Sequence, residues 1–193
     1  VEVEGIVQRA EENWGHLVLD VVAGVHRLKA RILHHSPGAE SGLIDAEVRI
    51  HGVAGTFYNS RRQLTGFHLL VPGMEQVIVV NQAHSDPFLG PIRLNRSLLS
   101  YSRDEEAGRR VRVRGVVTLH WPGQALFVQD ESGGLQVQSD HTPSLKVGDV
   151  IEAVGFPAQG GYTPSLKNAI VRQVSTGATL RPSVVTAETA LSG

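Results

Sequence analysis

The side chains of this chain that could do chemistry are histidines, carboxylates and a short run of arginines. Nine histidines are scattered along it: His16, His26, His34, His35, His51, His68, His84, His120 and His141. None has a second histidine or a carboxylate at a recognised metal-ligand spacing. His34 and His35 are adjacent, and adjacent side chains of an extended strand point to opposite faces, so the two would chelate poorly together. Cysteine is absent, which removes disulfides, thiolate zinc sites and a thiol nucleophile. Neither a Gly-x-Ser-x-Gly elbow nor a phosphate-binding glycine loop occurs. Asp20 and Asp130 recur at the ends of similar runs, LVLD and FVQD. An acid in that position is explained by hydrogen bonds to turn backbone. The sequence therefore predicts no catalytic residue, no metal and no cofactor.

Binding chemistry has two candidates. Arg109, Arg110, Arg112 and Arg114 form the basic cluster, and Arg110, Arg112 and Arg114 share a strand face as a candidate interaction patch. Asp104, Glu105 and Glu106 precede them, and the matching positions near the start of the chain are Glu2 and Glu4, of opposite sign. A solvated face is the plainer reading; the contrast also allows the acidic first strand of one repeat to face the basic first strand of a neighbour. The second candidate is a set of ligand-facing side chains in loops and on a strand: Trp121, Phe127 and Tyr162 late in the chain, and Trp14, His16 and Tyr58 early in it. A stacking surface for nucleic acid needs aromatics together with cations. With two Trp, three Tyr and five Phe, and 18 basic against 19 acidic residues, composition argues against nucleic acid as the partner.

The elements that must position these residues come as an internal repeat. VEVEGIV (Val1–Val7) returns as VRVRGVV (Val111–Val117), and the same spacing pairs Asp20 with Asp130 and Gly24 with Gly134. A shorter spacing pairs Gly52 with Gly155. Period-2 alternation of apolar and polar residues predicts strands in both copies. In the second, Val111–Thr118, Leu126–Gln129, Leu135–Gln138, Val150–Val154 and Asn168–Val174 are separated by turn residues. In the first, Val1–Arg9, Leu17–Val22, His26–Leu33, Asp45–Gly52 and Leu64–Leu70 give the same five, with an insertion at 33–44 and an extra strand at 76–81. Five short strands in this order predict an all-β chain of two tandem five-stranded OB-like Greek-key β-barrels joined by a short connector. The expected boundaries are 1–90 for the first barrel, 91–108 for a connector with a short helix at Ser97–Tyr101, 109–182 for the second barrel, and 183–193 for the start of a connector to a following domain, with a helix at Ala187–Leu191. No run approaches the roughly 20 apolar residues of a membrane span.

LFVQDESGGLQV (Leu126–Val137), set between VRVRGVVT (Val111–Thr118) and VGDVIEAVGF (Val147–Phe156), resembles OB-like repeats of the N-terminal extracytoplasmic sensory region of bacterial, notably acidobacterial, sensor histidine kinases. Ser97–Thr118 and Val185–Gly193 resemble the junctions between such repeats. The resemblance implies a non-catalytic sensory, ligand-binding or spacer module of a transmembrane receptor in a two-component system, cut from a longer array and placed in the periplasm. Its implied partners are neighbouring repeats and the membrane and kinase domains of the same chain, with a small molecule or protein as ligand. Because related repeats accompany secreted nucleases, the alternative is an accessory OB-fold module that binds single-stranded nucleic acid.

Overall fold

A computed structural model describes residues 1–99, 108–159, 164–179 and 186. The chain divides into two compact units: Val1–Ser85 with Asp104–Arg109, and Asp86–Arg103 with Arg110–Gly193. Both are built from strands. The first holds β1 (Glu2–Asn13), β2 (His16–Ala23), β3 (His26–His34), β4 (Glu47–His51), β5 (Val53–Tyr58), β6 (Leu64–Gly73) and β7 (Val77–Asn81). The second holds β8 (Val111–Trp121), β9 (Ala125–Gln129), β10 (Gly134–Val137), β11 (Val150–Gln159) and β12 (Pro164–Ser175).

The second unit is the closed five-stranded barrel that its alternation predicts, in the order β10-β12-β11-β8-β9. The first departs from expectation. It is a mixed seven-stranded sheet in the order β5-β6-β3-β2-β1-β4-β7. The strand path is nevertheless shared. In each unit the first three strands form an antiparallel meander, and the third pairs in parallel with a later strand, β3 with β6 and β10 with β12. In the second unit one long strand, β11, pairs with both β8 and β12 and shifts register at Gly155. In the first unit that task is divided at Gly52: β4 pairs with β1, and β5 pairs with β6. Both glycines sit where another backbone passes close. A Cβ on Gly52 would lie 2.7 Å from the Leu70 carbonyl oxygen, and one on Gly155 would lie 2.7 Å from that of Lys167.

The repeat is real but its phase drifts. β1 bulges at Gln8 and β8 at Thr118, at matching places. The following hairpin is longer in the first unit. Paired core positions therefore equate Leu19 with Leu126, Val21 with Val128, Leu28 with Leu135 and Ala30 with Val137. Asp20 thus corresponds to Phe127, not to Asp130. Asp130 makes the expected turn: its Oδ1 accepts from the Ser132 and Gly133 amides at 2.7 and 3.0 Å. Asp20 instead lies mid-strand and pairs with Lys29.

Each unit has its own core, formed by the inward positions of this alternation. In the first, Val7, Leu17, Leu19, Ile32, Val48 and Leu69 are buried. The expected insertion contributes Leu43 to the same core, and Ala46 follows just after it. In the second, Val117, Val128, Leu135, Ile151 and Leu166 are buried together. Burying each such aliphatic side chain contributes about 1.5–3 kcal/mol. Asn95–Leu99 forms a 3-10 turn in place of the helix expected at Ser97–Tyr101; residues 100 and 101 lie outside the described residues. So do Ala187–Leu191 and, apart from Thr186, the whole of 183–193. Asn95 is fully buried. Its amide donates to Asp130 Oδ2 (2.8 Å) and its side chain to the Gly133 carbonyl (2.9 Å), which fixes this segment to the second unit.

Candidate functional site

On β3 the sequence His26-Arg-Leu-Lys-Ala-Arg-Ile-Leu-His34 sends Leu28, Ala30 and Ile32 into the core. Arg27, Lys29 and Arg31 must then project from the opposite face, and all three are exposed. Alternate residues of a strand are about 6.8 Å apart, so the three charges form an evenly spaced row. Lys29 lies between Asp20 on β2 and His68 on β6, and Arg31 between Val18 and Leu70. The Lys29 ammonium is 3.1 Å from the Asp20 carboxylate, with Lys29 well exposed. Arg27 and Arg31 form no ion pair among the described residues.

The same face continues onto β5 and β6 as an aromatic surface. Gly55 stands opposite His68, and Phe57 opposite Gly66, so each ring has a glycine as its cross-strand neighbour. The His68 ring lies directly over Gly55, where a Cβ would fall 2.7 Å from two imidazole atoms. The two rings meet with centroids 4.2 Å apart and planes 33° from parallel. Phe57 remains 47% exposed. His68 Nδ1 is buried without a hydrogen-bond partner among the described residues. Packing over the glycine and against Phe57 therefore orients this imidazole.

The ligand-facing residues expected from the sequence are dispersed over the two units. Trp14 sits at the tip of the two-residue β1–β2 turn with a positive φ of 55°, and is 92% exposed. His16 opens β2, its Nδ1 3.4 Å from the Leu33 carbonyl oxygen. Tyr58 ends β5 and is exposed. The parallel pairing of β3 with β6 puts Trp14 and Tyr58 beyond opposite ends of the β3 row. In the second unit, Trp121 ends β8 and is 60% exposed, while Phe127 on β9 is half-buried. Tyr162 lies outside the described residues. The positions matching Arg27, Lys29 and Arg31 are Gly134, Gln136 and Gln138, so this outer face carries no cation row.

The arginine cluster at the start of β8 makes contacts of its own. Arg112 donates to the buried Glu152 carboxylate (2.8 Å) and to the Gly90 carbonyl (3.1 Å). Arg172 donates to the other Glu152 oxygen (2.6 Å) and stacks over Phe88, 4.1 Å from the ring centroid. Arg110 lies 5.3 Å from the centroid of Phe156, and Arg114 is exposed. Arg109 binds Glu47 (3.2 Å) and the Asp45 carbonyl (3.1 Å) in the first unit. The sign inversion between the copies has a local cause. Glu4 pairs with Arg49 on β4 (3.0 Å), and Glu2 with His51 (2.6 Å), so acid on the first strand and base on the fourth have exchanged places between units.

Three carboxylates are held below their ordinary range. Burial opposes ionisation of Glu152, but hydrogen bonds and charge from Arg112 and Arg172 outweigh it. Burial likewise opposes ionisation of Asp130, and its hydrogen bonds from Ser132, Asn95 and Gly133 prevail. Glu2 is lowered mainly by its hydrogen bond with His51. Among the described residues no group of three or more His, Cys, Asp or Glu could hold a metal ion.

No family model and no curated protein matches the chain. Solved structures that match over most of its length include the p204 HINb domain (TM-score 0.37, 11% identity, covering 90% of this chain and 97% of that one). A murine DNA-binding protein bound with double-stranded DNA also matches (0.38, 12%, 91% and 100%). A third is the Ifi202 HINa domain in complex with 20-bp double-stranded DNA (0.36, 11%, 91% and 96%). At these values the likeness assigns neither a family nor a ligand to this chain. The expected relationship to histidine-kinase sensory repeats finds no support at the sequence level, and the matching structures include HIN domains. That corrects the reading as a periplasmic receptor module with kinase and membrane domains as partners. The argument against nucleic acid is corrected too. It rested on whole-chain composition, which does not register the β3 row. No helix among the described residues is long and apolar enough to cross a membrane.

Proposed function

We propose that this chain is a non-catalytic nucleic-acid-binding module of two OB-like barrels, and that the outer face of β2, β3, β5 and β6 contacts the ligand. The observation that carries the reading is the row Arg27, Lys29 and Arg31 on the third strand of an OB-like path, exposed beside an aromatic pair. The second and third strands are where OB barrels present ligand surfaces. A linear row of cations suits a linear polyanion, because each neutralised phosphate releases condensed counterions. Trp14, His16 and Tyr58 would border the site as flanking contacts. In the second unit Trp121 and Phe127 would offer an apolar surface of lower charge. The first unit is read as a second barrel of the same design, closed through the divided strand β4–β5.

The test is fluorescence anisotropy with labelled oligonucleotides across a salt series. For single strands the slope of log affinity against log salt is about −0.7 per neutralised phosphate, so three cations give a slope of about −2. Replacing Arg27 and Arg31 by alanine is expected to flatten that slope by about 1.4 and to weaken binding of every sequence alike. An unchanged slope, or wild-type protein that binds no oligonucleotide at low salt, would overturn the reading.

A further inference from the structure

We infer that the Phe57–His68 pair is a stacking platform for an unpaired base, which makes single-stranded nucleic acid the ligand class of this face. The inference rests on the phosphate-binding reading of the β3 row and adds to it what that row cannot specify. Arg27, Lys29 and Arg31 would attract any nucleic acid, duplex or not. The aromatic pair selects. The His68 ring is bedded on Gly55 of the neighbouring strand, and Phe57 stands opposite Gly66. With no side chain at Gly55, the His68 ring lies low against β5. The two rings lean together at 4.2 Å, with Phe57 still 47% exposed. His68 is the direct register neighbour of Lys29, one strand spacing or about 4.8 Å away. A base lying on the rings would therefore have its backbone beside the cation row. Stacking is sequence-tolerant because every base offers a π face, but bases within a duplex are already stacked on one another and cannot reach it.

Phe57 and Val53 are both exposed on β5, at an end of the sheet, beside exposed cations. An apolar protein partner would be badly matched to three adjacent positive charges. A strand of phosphates and unpaired bases matches both features at once, through charge complementarity to the row and an apolar π face for the rings.

The probes are a labelled thymidine oligonucleotide, an abasic strand of the same length and a duplex, titrated by anisotropy. Phe57→Ala is expected to weaken binding of the thymidine strand by about tenfold or more. It should leave the salt slope, the abasic strand and the duplex unaffected. Gly55→Ala removes no charge and no aromatic, yet it forces His68 off its bed, and the same selective loss is expected. Phe57→Trp retains affinity and gives a direct signal, with indole fluorescence quenched by the thymidine strand and not by the duplex. If Phe57→Ala and Gly55→Ala bind like wild type while Arg27→Ala with Arg31→Ala still flattens the salt slope, the platform is wrong and the phosphate-binding reading survives. If the indole of Phe57→Trp is not quenched by bound single strand, the platform is likewise wrong. If wild type binds none of the three probes at low salt, both fail.

Discussion

Glu152 shows most clearly how a single side chain can organise its surroundings. It is 4% exposed and accepts hydrogen bonds from two arginines, one from β8 and one from β12. Its folded-state pKa lies below the ordinary 4.5. A carboxyl depressed on folding contributes stability that is present above its unfolded pKa and lost as pH falls through the folded one. The second unit should therefore lose stability on acidification below about pH 4.5, and Asp130 adds to the same limb. Glu152→Gln is expected to cost about 2 kcal/mol at neutral pH, since Arg112 is left half-buried against a neutral partner. It should also flatten the acid limb. Urea unfolding at pH 7 and pH 4 checks both, and an equal loss at the two pH values would contradict the assignment. The same residue accounts for one member of the most conspicuous basic run. Contiguous arginines stand out in a sequence, but the pairing that engages Arg112 comes from Glu152, forty positions away and invisible until β8 and β11 are side by side. The β3 row is diluted by Leu28, Ala30 and Ile32. Its signal, a cation at every second position, was nevertheless present in HRLKARILH.

Among the elements, the strands that alternate cleanly were readable and the one that does not was missed. Leu17–Val22, His26–Leu33, Leu126–Gln129 and Leu135–Gln138 each bury one face, and the structure places strands there. Val53–Tyr58 has neither face buried, so no alternation announced β5. The paired glycines were legible as landmarks, though not for what they do. Gly52 separates the stretch paired with β1 from the stretch paired with β6, Gly155 marks where β11 leaves β8 and shifts register on β12, and both meet a carbonyl oxygen that leaves no room for a Cβ. Gly155→Ala should therefore force the β11–β12 backbones apart and cost about 2–3 kcal/mol. Gly134→Ala is the control, because a Cβ there would meet nothing within 4 Å and the residue lacks the left-handed φ that would penalise a side chain. Its effect should stay within about 0.5 kcal/mol. Urea midpoints of the two variants decide it; similar losses in both would argue against the close-approach role. Phase drift has an equally physical origin. The β1–β2 hairpin extends further in the first unit than its β8–β9 counterpart, so a constant spacing that aligns Asp20 with Asp130 misaligns every core position beyond the first strand.

At the scale of the whole molecule, one strand path has been given two different outer faces. The first unit presents Arg27, Lys29 and Arg31 beside Phe57 and His68, and the second presents Phe127, Gln136 and Gln138 at the positions of Asp20, Lys29 and Arg31. A formal net charge of −1 averages these faces away, which is why composition argued against a polyanionic partner. Charge matters by where the fold collects it, and three exposed cations on one strand face create a local field that the sum over 193 residues conceals. The most direct measurement of the central claim is a backbone-amide NMR titration of the intact chain with a short thymidine oligonucleotide at low salt. The expected result is shifts concentrated on β2, β3, β5 and β6 of the first unit, led by residues around Lys29, Phe57 and His68, that disappear as salt is raised. Shifts confined to the second unit, or none at all, would contradict it.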